Sequence, residues 1–312
     1  MPLASVIVPA YNRSQLLEEA VRSVVAQTFM DWECVVVDDG STEDIGFVRQ
    51  FDPRVRVIRQ ANSRLPIARN NGILNSTGKY VALLDSDDVW LPGKLGSQVE
   101  LMDRHSDMGF CYVAHGVITP SGERQLGAPE ARPRDGYVDM LRRGCPLPST
   151  VMLRRECLGR VGVFDPMMPF SEDHDLLLRI AFSYPTIGYV PTCQALYRIH
   201  KGNSSRSYMA GYATLVNLAQ KHRIAALARG DKEAARAAQD MPKFWRGILG
   251  TQAFDLAREA FRDRDLVAFM PHILRATLWS PGFVGRSVMG YLAGNRGPRK
   301  VARDASAKKE AE

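Results

Sequence analysis

The first ninety residues alternate between short runs that are apolar at nearly every position and longer segments whose apolar residues return every three or four positions. LASVIVPAYN is a β-branched run broken by Pro9, and the segment after it sets Leu16, Leu17, Ala20, Val21, Val24 and Val25 on one helical face. A strand followed by a helix is predicted, with Asn12 and Gln15 spaced as a capping box at the helix start. WECVVVDDGS, RVRVIRQ and KYVALLDSDD predict three more strands, with a helix over IARNNGILNS before the last. Strands apolar on both faces suit a parallel sheet covered by helices on each side. The alternation therefore predicts an α/β fold with a doubly wound sheet.

Beyond Val89 the pattern loosens. GFCYVAHGVIT reads as a strand, SGERQLGAPEARPRDG as a loop and YVDMLRRG as a short helix. PLPSTVMLRRECLGRVGVFD reads as a strand, a short helix and a turn. In SEDHDLLLRIAFSYP the face formed by Leu176, Leu177, Ile180 and Ala181 predicts a helix with Glu172 and Asp173 at its N-terminus, where anions are stabilised. After ALYRIHKGNSS the chain turns helical, and RGPRKVARDASAKKEAE has the composition of a disordered tail. The expected organisation is a domain over 1–205, in halves 1–90 and 91–205, then a helical region over 206–295 and a disordered basic tail over 296–312.

Polar groups recur where the strands end: Tyr11 and Asn12, then Asp38 and Asp39, then Asp85, Asp87 and Asp88. A turn acid capping a helix accounts for any one of them. Together they point to one ligand site, because open α/β sheets bind ligands at the carboxyl ends of their strands. Asp85 and Asp87 alternate, so they share a face, and such hard oxygens suit Mg²⁺ or Mn²⁺.

Charge adds a second division. The net charge of +7 conceals 21 Lys and Arg against 24 Asp and Glu in residues 1–200, and 20 against 10 in residues 201–312. The basic rear suits either anionic lipid head groups or a solvated helical surface. Its arginines are not interleaved with aromatics on one face, which argues against nucleic acid. The five cysteines are scattered and form no CxxC, so a reducing compartment is expected. The first strand begins near Leu3, leaving no room for a signal peptide ahead of it, and no apolar run reaches the roughly 20 residues of a spanning helix. A cytoplasmic protein is expected, with any membrane contact peripheral, at the inner face of the cell membrane.

Five segments in order, SVIVPAYNR, VVVDDGSTED, ARNNGILNSTGKYVALLDSDD, FSEDHDLLLRIA and YRIHKGNSS, together resemble the family 2 glycosyltransferases of GT-A fold, over about residues 3 to 205. The resemblance implies a Rossmann-like, mostly parallel mixed sheet flanked by helices, with a C-terminal helical appendage. It implies inverting, metal-dependent transfer of a sugar from a nucleotide diphosphate sugar, UDP favoured, to a hydroxyl of a glycan or lipid-linked acceptor in polysaccharide, lipopolysaccharide or other glycoconjugate synthesis. Pro9, Ala10, Tyr11 and Asn12 match the strand end lining base and ribose, Asp39 the acid that meets uracil with Asp38 beside it, Arg64 a basic residue near the base, and Asp85 the ribose contact. Asp87, helped by Asp88, matches the holder of Mn²⁺ or Mg²⁺, and His200 stands where a histidine reaches the metal or diphosphate. Asp173 matches the general base, supported by Glu172, while Ser149 and Thr150 match an acceptor-facing segment.

Other readings of the same residues stay open. Glu172 and Asp173 suit helix capping, and His200 an ordinary surface position. Cys145 has no partner pattern of a nucleophile. A nucleotidyltransferase would want a Gly-rich basic phosphate loop after the first strand, which VPAYNRSQ lacks. A sugar-nucleotide binder or scaffold without turnover is the alternative, against which Asp85, Asp87 and Asp173 speak. Trp245, Trp279 and Phe283, with the surrounding arginines, fit a bilayer surface, a helical cap or a homodimer contact.

Overall fold

A computed structural model of the chain describes residues 1–131, 133–200, 202–203 and 208–292. In chain order the elements are β1 Ala4–Ala10, α1 Ser14–Val25, β2 Trp32–Asp38, β3 Val55–Arg59, α2 Leu65–Leu74, β4 Tyr80–Leu83, β5 Val89–Trp90, α3 Lys94–Arg104, β6 Met108–Ile118 and β7 Arg124–Gln125. There follow α4 Tyr137–Arg143, β8 Val151–Arg154, α5 Arg155–Val161, α6 Glu172–Ser183, β9 Thr186–Arg198, α7 Tyr208–Ala228, α8 Lys232–Arg262, α9 Leu266–Trp279 and α10 Pro281–Leu292.

The described strands form one sheet in the order β3-β2-β1-β4-β8-β6-β9-β5, with β7 paired to β6. β1, β2, β3 and β4 are mutually parallel, β8 runs against both β4 and β6, β9 is parallel to β6, and β5 runs against β9. The expected mostly parallel mixed sheet is what forms. From β1 the chain winds outward to β2 and β3, then returns to place β4 on the other side of β1. That reversal opens a crevice between the ends of β1 and β4, the switch point at which such sheets bind ligands.

Both sheet faces are covered, which is why β1 is buried at every position. Val6 and Val8 pack with Leu17, Val21 and Val24 of α1 and with Leu95 and Val99 of α3 in one core. On the opposite face α2 lies so close that a Cβ on Gly72 would sit 2.4 Å from Ile7 Cγ2 and 3.1 Å from Val37 Cγ2. Any side chain there would push α2 off the sheet.

Two local expectations fail. Asn12 does not cap α1: the cap position is Arg13, in the left-handed region at φ 62° with no side-chain cap bond, while Glu43 Oε2 accepts from Ser14 N at 2.8 Å. The acid of a neighbouring loop does the work that a local box would have done. β9 carries no strand prediction, because its residues are half exposed and Pro191 interrupts them. The ladder with β6 jumps from Val113 opposite Val190 to Ala114 opposite Cys193, so the proline falls in a bulge, where its missing N–H costs no bond.

The chain falls into two compact units, one of residues 1–204 with 214–241 and one of 205–213 with 242–312. The helices expected after residue 205 are present, and the division within α8 falls at Pro242, whose ring removes a helix hydrogen bond. In the second unit Leu249, Ala253, Ala276 and Val284 form a small core. Trp279 packs on Tyr212 with ring centres 5.0 Å apart, and Phe283 on Phe254 at 5.5 Å, so both rings are partly buried within this unit. Among the described residues of this unit, the exposed large apolar residues are Phe261 of α8 and Leu266, Val267, Met270, Leu274 and Leu278 of α9. The tail over 296–312 lies outside the described residues.

Under the first unit's sheet, Lys94 opens α3 fully buried, bonded to Gln98 Oε1 at 2.7 Å and lying 3.9 Å from the centre of the Trp90 ring. Burial pushes its ammonium down to about 7. A lysine so depressed is protonated in the unfolded chain but not in the folded one between about pH 7 and its ordinary value. Stability therefore rises with pH across that window and is lost as pH falls towards 7. Lys94→Met is expected to stabilise the protein at pH 7 by roughly 1–3 kcal/mol and to flatten that rise, both read from urea unfolding at pH 7 and pH 10.

Candidate functional site

At the end of β1 the chain turns through Asn12 and Arg13, both left-handed at φ 54° and 62°, a conformation uncommon outside glycine. Pro9 and Ala10 are buried in the strand end and Tyr11 is half exposed at the mouth of the crevice. The Asn12 side-chain carbonyl accepts from Thr42 N at 2.8 Å and from Thr42 Oγ1 at 3.1 Å, while the Asn12 backbone N–H donates to Ser41 Oγ at 2.8 Å. Its role is to tie this turn to the loop after β2.

The two acids ending β2 are also committed to the frame. Asp38 accepts from Ser41 N at 2.8 Å and pairs with Arg59 at 2.9 Å. Asp39 Oδ1 accepts from Gln60 Nε2 at 2.7 Å and Ser63 N at 2.8 Å, and Oδ2 from Arg64 N at 3.1 Å. Asp39 thus sets the conformation of the loop that presents Arg64, itself exposed at φ 78°. Gly40 allows that contact: at φ 80° any Cβ would meet Asn62 N at 2.8 Å.

At the end of β4 the three acids separate into distinct environments. Asp88 is buried, with Oδ2 accepting from Ser149 Oγ at 2.6 Å and Oδ1 from Arg198 N at 2.9 Å. Burial, then Asp85 and Asp87, push its carboxyl well above the usual range, while the two hydrogen bonds pull it down. Both of its oxygens are engaged within the fold, which leaves Asp87 the more accessible of the two neighbouring acids. Ser149, expected at an acceptor, is likewise buried: its hydroxyl also accepts from Asp85 N at 3.1 Å, and its carbonyl accepts from Trp90 Nε1 at 2.7 Å. Thr150 is buried too and donates to Leu147 O at 2.6 Å.

Asp87 is partly buried and turns instead to His200 and Arg13. Its Oδ2 lies 2.8 Å from His200 Nε2 and 3.3 Å from Arg13 Nη1, while Arg13 Nη2 donates to Gly202 O at 2.9 Å. Lys201 and Ser204, which follow His200 in YRIHKGNSS, lie outside the described residues. Among those described, no three acids, histidines or cysteines gather as a ready-made cation cage. The pair Asp87 and His200 nevertheless fits a small divalent cation, which typically takes one or two protein ligands and fills its shell with water and phosphate oxygens.

The last group stands at the start of α6. Arg69, fully buried on α2, donates from Nη2 to Asp85 at 2.6 Å and from Nη1 to Glu172 at 2.7 Å. Asp173, next along the first turn of α6, accepts from His174 N at 2.8 Å and lies 3.1 Å from His174 Nδ1. Burial raises both carboxyls. For Asp173, His174 and the Arg69 charge outweigh it and hold the carboxyl below the ordinary range; Glu172, facing Asp173 itself, is held above it. Asp173 therefore keeps its charge, as a proton acceptor must.

The structure thus gathers Asp85, Glu172 and Asp173 around one guanidinium, with Asp87 and His200 two residues further along the β4 end. Arg13, Arg69 and Arg198 are missed by sequence reasoning. Arg69 left a faint signal, an arginine on the helix face that holds Ala68, Gly72 and Ile73. Arg198, which donates to Asp87 O at 2.8 Å, left none.

The model of the family described as Glycosyl transferase family 2 matches residues 5–162. TuaG of Bacillus subtilis, a glycosyltransferase assigned to teichuronic acid biosynthesis, is 32% identical over 68% of this chain and 86% of its own length. WfgD of Escherichia coli, a UDP-Glc:α-D-GlcNAc-diphosphoundecaprenol β-1,3-glucosyltransferase, is 33% identical over 37% of this chain and 47% of its own. Two longer Rickettsia glycosyltransferases also match, and the chain spans about a third of their length. Among solved structures, Staphylococcus aureus TarS 1-349 in complex with UDP-GlcNAc superposes with a TM-score of 0.59 at 17% identity, over 96% of this chain and 94% of that one. The mannosyltransferase PcManGT of Pyrobaculum calidifontis, in complex with GDP-Man and Mn²⁺, gives 0.61 at 20% identity, over 94% and 86%.

The two neighbouring acids should separate in experiment. Asp88→Ala leaves the Ser149 hydroxyl and the Arg198 amide unpaired and is expected to cost about 2–4 kcal/mol of stability. Asp87→Ala is expected to move stability by less than about 0.5 kcal/mol. Denaturant midpoints of the two variants check this.

Proposed function

The chain belongs to glycosyl transferase family 2 and is a glycosyltransferase, and from that premise we propose that it moves a sugar from a UDP-sugar to an acceptor hydroxyl with inversion at the anomeric carbon. The reading rests above all on one observation, that Arg69 bonds both the β4 end at Asp85 and the first turn of α6 at Glu172, so the two halves of the expected machinery meet at one crevice. The nucleotide would lie across the ends of β1 and β2, with the Tyr11 ring against it and its base over the loop that Asp39 shapes and from which Arg64 projects. The ribose would reach Asp85.

Asp87 and His200 would hold Mn²⁺ or Mg²⁺. When bound, the cation supplies charge neutralisation to the leaving diphosphate. Asp173 would take the proton from the acceptor hydroxyl as its oxygen attacks the face of the sugar opposite the diphosphate, which inverts the centre. A carboxylate held ionised and partly exposed is suited to that task. TarS with UDP-GlcNAc and PcManGT with Mn²⁺ support the nucleotide and the metal by fold alone; TuaG and WfgD support an acceptor on the path to a surface polysaccharide, glycan or lipid-linked.

A lipid-linked acceptor would give the second unit a use. No helix among the described residues is long and apolar enough to cross a membrane. The exposed face of α9, with Val267, Met270, Leu274 and Leu278, has the character of a surface that rests on a bilayer, and the basic residues after 201 suit anionic head groups. Leu274→Glu is expected to lower flotation with phosphatidylglycerol vesicles at least about threefold, given the apolar area it removes; unchanged flotation would end the membrane reading.

Calorimetry with UDP, dTDP and GDP, with and without Mn²⁺, tests the donor site. UDP is expected to bind most tightly, in a metal-dependent way that Asp87→Ala removes. Asp173→Asn is expected to keep nucleotide affinity within about threefold while abolishing turnover of the UDP-sugar, a loss of about 10³ or more for a base. Turnover retained in Asp173→Asn would dismiss Asp173 as the base.

A further inference from the structure

Arg69 sits among more negative charge than it can neutralise alone. Asp85 and Glu172 bond it directly, and Asp173 contributes to its field. Among the described residues, the groups facing Asp173 are Glu172 and His174 on its own helix, Arg69 from α2, Asp85 from the end of β4, and Cys145 from the segment after α4. Arg69 is the one arginine or lysine in that set. Its neighbour Asn70 grips the same region by a second route, donating to Phe164 O at 2.8 Å and accepting from Phe164 N at 3.0 Å, while the Phe164 ring lies 5.3 Å from the Arg69 guanidinium. Two consecutive residues of α2 thus hold the chain that leads into α6.

We propose that Arg69 is a positioning residue of the transfer step: it fixes the first turn of α6, and with it Asp173, against the end of β4, and supplies the positive charge that three clustered carboxylates share. A planar guanidinium can serve two carboxylates from two nitrogens, which an ammonium on a flexible stem does less well. Without it the acids would repel one another, Asp173 would take up a proton at higher pH, and the first turn of α6 would lose its tether to the sheet. The inference rests on reading Asp173 as the base.

The test uses the full chain with ¹³C-labelled aspartate carboxyls. Asp173 is assigned by the resonance missing in Asp173→Asn, and its titration is followed by NMR beside hydrogen exchange of the α6 amides. In Arg69→Met the Asp173 midpoint is expected to rise by about one pH unit or more and the first-turn amides to exchange about tenfold faster, with Arg69→Lys between the two. A merely structural arginine would alter global stability and leave the Asp173 midpoint in place. If Arg69→Met does not fold, Arg69→Met/Glu172→Gln removes the buried pair together and is read against Glu172→Gln alone, so that only the loss of the guanidinium differs. An unmoved midpoint and unchanged exchange in either folded variant would overturn the proposal, whereas turnover by Asp173→Asn would overturn the base reading on which it rests.

Discussion

The site hangs on a buried carboxylate. Asp88 takes a hydroxyl from Ser149 and an amide from Arg198, and through them it fastens the end of β4 to the turn before β8 and to the end of β9. Neither partner is spare: Ser149 also receives the Asp85 amide, and the Arg198 guanidinium reaches Asp87 O and Glu19. An acid placed this deep is tolerable only while both oxygens are paired, so the knot either forms whole or not at all. Its effect is to leave Asp87 facing His200 and Arg13 and Asp85 facing Arg69 within the same four-residue turn.

That division of labour explains why a run of acids can persist. Three carboxylates in four positions repel one another if they share an environment. Here one is sunk in hydrogen bonds, one meets a guanidinium and one meets His200 and Arg13. The separation also lets chemistry and support be carried by adjacent residues, so proximity in sequence says little about which acid does which.

The sequence was most informative where burial is uniform. β1, β2 and β4 are buried on both faces, so their apolar runs stand out, and the acids at their ends mark the crevice. β9 was illegible because its residues are half exposed and Pro191 breaks the pattern. Asp87 and Asp88 could not be told apart, since the difference lies in partners 61 and 110 residues from Asp88. Arg69 was hidden for the same reason, its two carboxylates lying 16 and 103 positions away. Asn12 misled because Glu43 supplies the acceptor at the start of α1 that a local box would have supplied.

β9 carries one further meaning, in the order of synthesis. β1 to β4 can pair once the first eighty or so residues have left the ribosome, since β4 ends at Leu83. The bond from Arg198 N to Asp88 spans 110 positions, and the contact of His200 with Asp87 spans 113. Until residue 200 emerges, Asp88 lacks the Arg198 amide and Asp87 lacks His200, while Arg69, Arg13 and Ser149 are already in the chain. The nascent chain thus carries an assembled half-sheet before its crevice is complete, and the last strand to enter the sheet closes the loops of greatest entropy cost.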